Sequence, residues 1–128
     1  MNIKKIICVD DDQELLDIYS EIFKSLGMET YVAQNGIECG CLIPVVMPDL
    51  IILDLTMPDM GGIRTIDHLS KSVQSNMYIL VVSGNLHKEE VDLLKEKGIP
   101  YLEKPVNFEQ LIDKIRSLSS NPPPFLKN

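Results

Sequence analysis

A single doubly wound α/β domain, a parallel sheet of five βα units, is what this sequence of 128 residues predicts. Three observations lead there. Strand-like apolar runs alternate with helix-like patterns along the whole chain. Two of the runs, LIILDL and MYILVV, are apolar at almost every position, as central strands buried on both faces require. The length suits one domain, which can bury a core without disulfides or a structural metal. A content of 45% apolar and 24% charged residues argues against disorder.

Ile3–Val9 is a mostly apolar run and reads as the first strand. Asp12–Leu26 reads as a helix, because Leu15, Leu16, Ile18, Tyr19, Ile22, Phe23 and Leu26 recur at helical spacing. Asp11 or Asp12 is placed to cap it, Asp11 and Glu14 having the capping-box offset, and Gly27 stops it. Glu29–Ala33 is a short second strand. Asn35–Val46 is the weak element: Gly36, Gly40 and Pro44 disfavour a regular helix, and Glu38 is its single charge. A short, kinked or partly unwound helix is expected there. Leu50–Leu55 is the third strand, Gly62–Val73 the third helix and Met77–Val82 the fourth strand. Lys88–Lys97 is the fourth helix, and Pro100–Leu102 leads into a short fifth strand. Asn107–Leu118 is the fifth helix, with Asn107 and Gln110 in capping-box positions. Its residues Phe108, Leu111, Ile112, Ile115 and Leu118 line one face. The closing SSNPPPFLKN cannot continue a helix through its prolines. One domain is therefore expected over residues 1–119, with 120–128 as a proline-rich tail or the start of a linker.

Acidic residues outnumber basic ones 19 to 12, leaving a net charge of −7. Such a surface repels phosphate backbones, so direct nucleic-acid binding is not expected. No apolar run reaches the about 18 residues of a membrane helix. The longest candidate, Cys41–Leu53, contains Pro44, Pro48 and Asp49. The opening MNIKKIICVDDD turns acidic where a signal peptide would stay apolar. Together with an odd count of 3 cysteines, this points to a reduced, cytoplasmic chain. Cys39 and Cys41 form a lone C-x-C with no histidine nearby, short of the ligand set of a structural zinc site, so no metal role is expected for them.

In such a fold, ligands sit beyond the carboxyl ends of the strands, where the strand order reverses. With right-handed crossovers and the order 2-1-3-4-5, the first and third strands flank that point. Asp10, Asp11 and Asp12 stand at the end of the first strand and Asp54 at the end of the third. Ser83 and Gly84 follow the fourth, and Lys104 and Pro105 follow the fifth. Clustered carboxylates raise one another's pKa, and a hard divalent cation removes that penalty. Mg²⁺ takes oxygen ligands and keeps several waters, so two or three carboxylates suffice; Mn²⁺ is the alternative. A carboxylate is also a nucleophile toward phosphorus. Lys104 and the Ser83 hydroxyl then supply charge and hydrogen bonds to phosphoryl oxygens, and Gly84 leaves room beside its N–H. Taken singly, Asp12 is a helix cap, Ser83 a turn residue and Lys104 a solvated strand end. Asp10 and Asp11 cannot both cap one helix, and Asp54 interrupts a central apolar strand, where a charge has a desolvation cost. The joint placement carries the weight.

The motifs IICVDDD, LIILDLTMPDMGG, ILVVSGN and YLEKP, in this order and at this spacing, resemble the receiver domain of the response regulators of two-component signalling. The resemblance is to chemotaxis-regulator-like receivers and spans about residues 3–119. It implies a flavodoxin-like strand order, Asp54 as phosphoacceptor, and Asp10 and Asp11 as the acidic pair that, with Asp54, organises Mg²⁺. The backbone carbonyl of Thr56 corresponds to the third protein ligand. Ser83 corresponds to the hydroxyl that contacts phosphate, Lys104 to the lysine that pairs with it, and Lys104–Pro105 to a cis peptide. Tyr101 corresponds to an aromatic switch residue that turns inward as Ser83 moves toward the phosphoryl group. Thr56 and Asn85 occupy the positions that tune phosphoryl lifetime, with the Asn85 amide placed to orient the attacking water. The implied donor is a sensor histidine kinase or a phosphotransfer protein. The implied output partner reads the helix 4–strand 5–helix 5 face, and a homodimer is a further candidate. The chain would then be a signalling module that catalyses only its own phosphorylation and dephosphorylation.

Two stretches depart from that pattern. The second helix lacks the usual charged face; Leu42, Ile43, Val45, Val46 and Met47 would form an apolar patch of the kind that marks interfaces if exposed, but half of them are expected simply to pack on the sheet. The segment from Ser83 to Lys104 is slightly short. Three other functions compete. A metal-dependent phosphatase of the haloacid-dehalogenase type needs a second aspartate that Asp54-Leu55-Thr56 lacks. A nucleotide or flavin domain needs a glycine-rich loop after the first strand, and acid stands there instead. A degenerate receiver acting only as a protein-interaction module would not need the phosphorylation residues, all of which are present.

Overall fold

Parallel strands need long crossovers, and here each crossover within the described residues is a helix laid on one sheet face. The computed structural model describes residues 3–57 and 77–119. Its strands are β1 (Lys5–Val9), β2 (Glu29–Ala33), β3 (Leu50–Leu53), β4 (Tyr78–Ser83) and β5 (Tyr101–Glu103). The described helices are α1 (Gln13–Ser25), α2 (Gly36–Val46), α3 (Lys88–Glu96) and α4 (Phe108–Leu118). The sheet order is β2-β1-β3-β4-β5, all parallel, with Cys8 opposite Ile52 and Ile52 opposite Leu80. The expected helix Gly62–Val73 and the tail 120–128 lie outside the described residues.

Alternation along each strand splits the core into two layers. Ile7, Val9, Ile51, Leu53, Ile79 and Val81 face Cys39, Ile43 and Val46 of α2 and Leu94 of α3. Ile6, Cys8, Leu50, Ile52, Leu80 and Val82 face Leu16, Tyr19 and Phe23 of α1 and Leu111, Ile115 and Leu118 of α4. Asp12 caps α1 by accepting from the N–H groups of Glu14 and Leu15, so the alternative cap at Asp11 is not used. Gly27, at φ 82°, turns the chain out of α1 in the left-handed conformation that glycine adopts without strain.

The strand ends differ from the sequence reading. β1 begins at Lys5, not Ile3, because Asp49 draws the N–H groups of Lys4 and Lys5 onto its carboxylate. β3 stops at Leu53, before Asp54. β4 runs through Ser83, which pairs with Glu103, and β5 starts at Tyr101, after the proline that has no N–H to give. Ser83 is thus the last residue of a strand and not part of the turn behind it.

α2 corrects a larger expectation. It is continuous over Gly36–Val46, neither short nor partly unwound. Asn35 caps it through the Glu38 N–H, and the Glu38 carboxylate accepts from the Gln34 N–H. Cys39, Ile43 and Val46 are buried against the sheet. Gly40 and Pro44 are both on the exposed side, so the Gly40 carbonyl that Pro44 cannot satisfy stays open to water. Capping and burial offset the propensity cost.

Candidate functional site

β1 and β3 are adjacent, and their carboxyl ends deliver Asp10 and Asp54 to the same point. Both are buried, at 1% and 2% relative exposure, while Asp11 is exposed. Carboxylate oxygens of Asp10, Asp11 and Asp54 all lie within 4.8 Å of one another. Three hard oxygen donors at that spacing, one of them open to solvent, fit a Mg²⁺ that retains waters.

Each Asp54 oxygen is engaged. Oδ1 accepts from the Ser83 hydroxyl at 2.7 Å, the Thr56 hydroxyl at 2.7 Å and the Thr56 N–H at 2.9 Å. Oδ2 accepts from Lys104 Nζ at 3.1 Å. The same ammonium reaches Asp10 Oδ2 at 2.8 Å, and Asp10 Oδ1 accepts from the Asp12 N–H at 3.0 Å. Lys104 thus bridges the two buried carboxylates. Ser83 Oγ also accepts from the Leu55 N–H at 3.3 Å, which fixes the hydroxyl beside Asp54. The Lys104–Pro105 peptide is cis, as the resemblance implies. A Cβ built on Gly84 would meet nothing within 4 Å, so space is open beside Ser83.

The electrostatics divide the carboxylates. Burial raises the Asp10 carboxyl above its ordinary range, and the bonds from Lys104 and the Asp12 N–H only partly counter it. Burial also acts on Asp54, but the Thr56, Ser83 and Lys104 donors together outweigh it and hold that carboxyl below its ordinary range. Lys104 loses hydration, yet its two carboxylate partners win and keep it charged.

The fold therefore gathers Asp10, Asp11, Asp54, Ser83, Thr56 and Lys104. It does not gather Tyr101 or Asn85. Tyr101 is half-buried at the start of β5, packed against the α2–α3 layer. Asn85 is exposed, in the left-handed conformation at φ 47°. No hydrogen bond among the described residues ties either to the cluster. Cys39 points into the core and Cys41 outward, so that pair does not converge. Sequence reasoning named Thr56 for its carbonyl and for phosphoryl lifetime, but not the bond from its hydroxyl to Asp54. It also missed a cleft of about 240 Å³ beside Lys104, lined by Leu15, Ile18, Val106 and Phe108 among others. Leu15, Ile18 and Phe108 looked like ordinary core stripe.

Comparison with known proteins places the chain in a family. The model of the response regulator receiver domain matches residues 6–116. Sporulation initiation phosphotransferase F of Bacillus subtilis (strain 168) is 25% identical over 114 residues, covering 88% of this chain and 91% of that protein. Transcriptional regulatory protein CpxR of Klebsiella pneumoniae is 32% identical over 114 residues, covering 89% of this chain and 48% of that protein. The chain thus spans about half the length of CpxR. Among solved structures, a CheY-like receiver domain protein from Methanospirillum hungatei JF-1 superposes with a TM-score of 0.83 at 29% identity, covering 91% of this chain and 93% of that one. A signal receiver domain from Bermanella marisrubri gives 0.81 at 33% identity, covering 92% and 99%. With its family model matched over nearly the whole described fold, this chain belongs to the receiver domains of response regulators, the signalling modules of two-component and phosphorelay systems.

Proposed function

We propose that Asp54 accepts a phosphoryl group from a phosphohistidine of a sensor kinase or phosphotransfer protein, and that the domain then controls an output partner. The observation that carries this is the setting of Asp54: a buried carboxylate at the end of a central strand, bonded both to Ser83 and to a lysine 50 residues away. A purely structural carboxylate has no need of an open, acid-rich surrounding. In the transfer, an Asp54 oxygen forms a P–O bond as the donor's P–N bond breaks. The electron pair leaves with the imidazole, which takes up a proton. Lys104 and the Ser83 hydroxyl are placed to hold phosphoryl oxygens, as preorganised charge and donors do in phosphoryl transfer. Mg²⁺ held by Asp10, Asp11, Asp54 and the Thr56 carbonyl would supply the remaining positive charge. Water later attacks phosphorus, the P–O bond to Asp54 breaks, and the carboxylate and inorganic phosphate are released.

The cleft between α1 and the start of α4 opens at Lys104 and offers Leu15, Ile18, Val106 and Phe108 as an apolar seat for the donor. Asn85 and Thr56 are the residues proposed to set phosphoryl lifetime. Tyr101, half-buried beside β4, is the proposed relay to the α3–β5–α4 face. The receiver is read as residues 1–119, and a cytoplasmic location follows from the kinase chemistry; no described helix is long and apolar enough to cross a membrane.

The test is intact mass after incubation with Mg²⁺ and acetyl phosphate or phosphoramidate. Wild type is expected to gain one phosphoryl group, about 80 Da, and Asp54→Asn to gain none. No gain in wild type, with BeF₃⁻ also failing to bind, would leave a module that works by protein binding alone.

A further inference from the structure

Three side chains hold Asp54, and one of them differs from the other two. Lys104 also reaches Asp10, at 2.8 Å, and the Ser83 hydroxyl also reaches the Gly84 carbonyl, at 3.3 Å, with open space beside it. Each therefore has a second acceptor and can carry its donor onward to phosphoryl oxygens. Thr56 is fixed. Its hydroxyl and its own N–H converge on one atom, Asp54 Oδ1, at 2.7 and 2.9 Å. The backbone beside it is held as well, because the Leu55 N–H donates to Ser83 Oγ. Packing does not call for this hydroxyl: Thr56 is exposed and lies beyond the last residue of β3.

We infer that the Thr56 hydroxyl is a leaving-group donor, which stabilises the Asp54 carboxylate as the phosphoryl group departs and so shortens the life of the phosphorylated chain. This rests on Asp54 being the phosphoacceptor, and it gives one atom the direction of its effect. Charge is the reason. A carboxylate accepts a hydrogen bond about twice as strong as a neutral oxygen does. Once phosphorus is bonded to one Asp54 oxygen, the carboxyl is an uncharged acyl group and the Thr56 donor meets a weaker acceptor. In the loss step, the oxygen of water bonds to phosphorus and the bond from phosphorus to Asp54 breaks. Its electron pair returns to the carboxylate, and the protons of the water go to the departing phosphate and to solvent. Negative charge thus develops where Thr56 already points, and a fixed donor stabilises it without reorganising. In a loose transition state most of that charge is present before the bond is fully broken. Gain of the group differs, because the attacking oxygen still holds most of its charge in such a transition state. The hydroxyl therefore speeds loss strongly and affects gain little. A group that only oriented the carboxylate would act on gain as well.

Intact mass followed over time reads both steps. The full chain with Mg²⁺ and acetyl phosphate gives the rate of gain, and desalting away the donor then gives the rate of loss. Thr56→Val keeps the β-branched shape and removes the hydroxyl. It is expected to lose the phosphoryl group about fivefold more slowly, the difference between a bond to a charged and to a neutral acceptor. Its rate of gain is expected to stay within about twofold of wild type. Thr56→Ser keeps the donor and is expected to lose the group at close to the wild-type rate, and circular dichroism checks that both variants fold. Loss from Thr56→Val as fast as from wild type, or faster, overturns the inference. So does gain slowed in proportion to loss, which would make the hydroxyl an orienting group, and so does slow loss that Thr56→Ser shares, which would assign the effect to side-chain shape. A wild type that gains no phosphoryl group overturns the reading of Asp54 itself, and this inference falls with it.

Discussion

Asp10 and Asp54 are both buried carboxylates, but they have opposite effects on stability in the metal-free protein. Asp54 is held below its ordinary pKa, so its contribution is present above the unfolded value near 4 and is lost as the pH falls through the folded one. Asp10 is raised, chiefly by burial, so the folded state binds its proton more tightly and stability falls as the pH rises past the unfolded value. At neutral pH Asp10 is thus a cost that a bound cation would remove. Asp10→Asn is expected to raise metal-free stability at neutral pH, because the amide has no charge to desolvate and Lys104 keeps Asp54 as its partner. The same variant should lose the upward shift in melting temperature that Mg²⁺ gives wild type. Thermal melts with and without Mg²⁺ check both; a destabilised variant with an intact Mg²⁺ shift would contradict the assignment. Tyr19 is a second residue with an unmet requirement. Its ring stacks on Phe23 and meets Phe108 edge-on, while its buried hydroxyl has no hydrogen-bond partner among the described residues. Tyr19→Phe removes that hydroxyl and keeps the packing, so denaturant unfolding should show a gain of ~1 kcal/mol. The importance of Asp54 was legible in the sequence because it breaks LIILDL. Ser83 and Lys104 were legible too, at the ends of the fourth and fifth strands; what was not is that each bonds Asp54 directly.

At the scale of elements, α2 shows how context overrides propensity. Two glycines and a proline argue against a helix, yet the Asn35 cap and three buried side chains stabilise one. Its end remains strained. Met47 caps the helix at φ 52°, ψ 65°, a left-handed conformation that disfavours a side chain bearing Cβ. Met47→Gly is expected to stabilise the monomer by up to ~1 kcal/mol, measured as a rise in the urea midpoint; a fall would mean that the half-exposed Met47 side chain contributes more packing than its backbone loses. The other helices were easier to read. α1 and α4 begin at the caps their sequences offer, Asp12 and Asn107, and bury the stripes seen in the sequence. The errors at strand ends, by contrast, came from pairing. Whether Ser83 belongs to β4 depends on Glu103 lying opposite it, which no local pattern reveals.

For the whole molecule, the charge of −7 sets what this chain avoids. It should show no retention of duplex DNA near 0.15 M salt, because phosphate affinity comes from released counterions and requires a basic surface. A gel-shift titration tests this, and binding that weakens steeply with salt would reveal a basic patch outside the described residues. Among the described helices, α2 is the one whose outer face is mainly apolar. The active edge and that face lie on different parts of the fold: the acidic cluster caps the ends of β1 and β3, whereas Ile37, Cys41 and Val45 lie along the outside of the helix next to the edge strand.

The sequence by itself determined the alternation of strands and helices, the sheet order and the edge at which Asp10, Asp11, Asp54, Ser83 and Lys104 would meet. The alternation follows from periodicity, which is local; the strand order follows from the resemblance of the motifs to receiver domains, and the shared edge from that order with right-handed crossovers. Only the tertiary structure decided that Lys104 bridges two buried carboxylates, that Thr56 turns its hydroxyl onto Asp54, and that α2 survives its proline with an apolar face outward. The Lys104 bridge and the helix depend on burial against other strands, and the Thr56 contact, though local in sequence, depends on the setting of Asp54; desolvation is a property of the packed surroundings that no single stretch of chain carries.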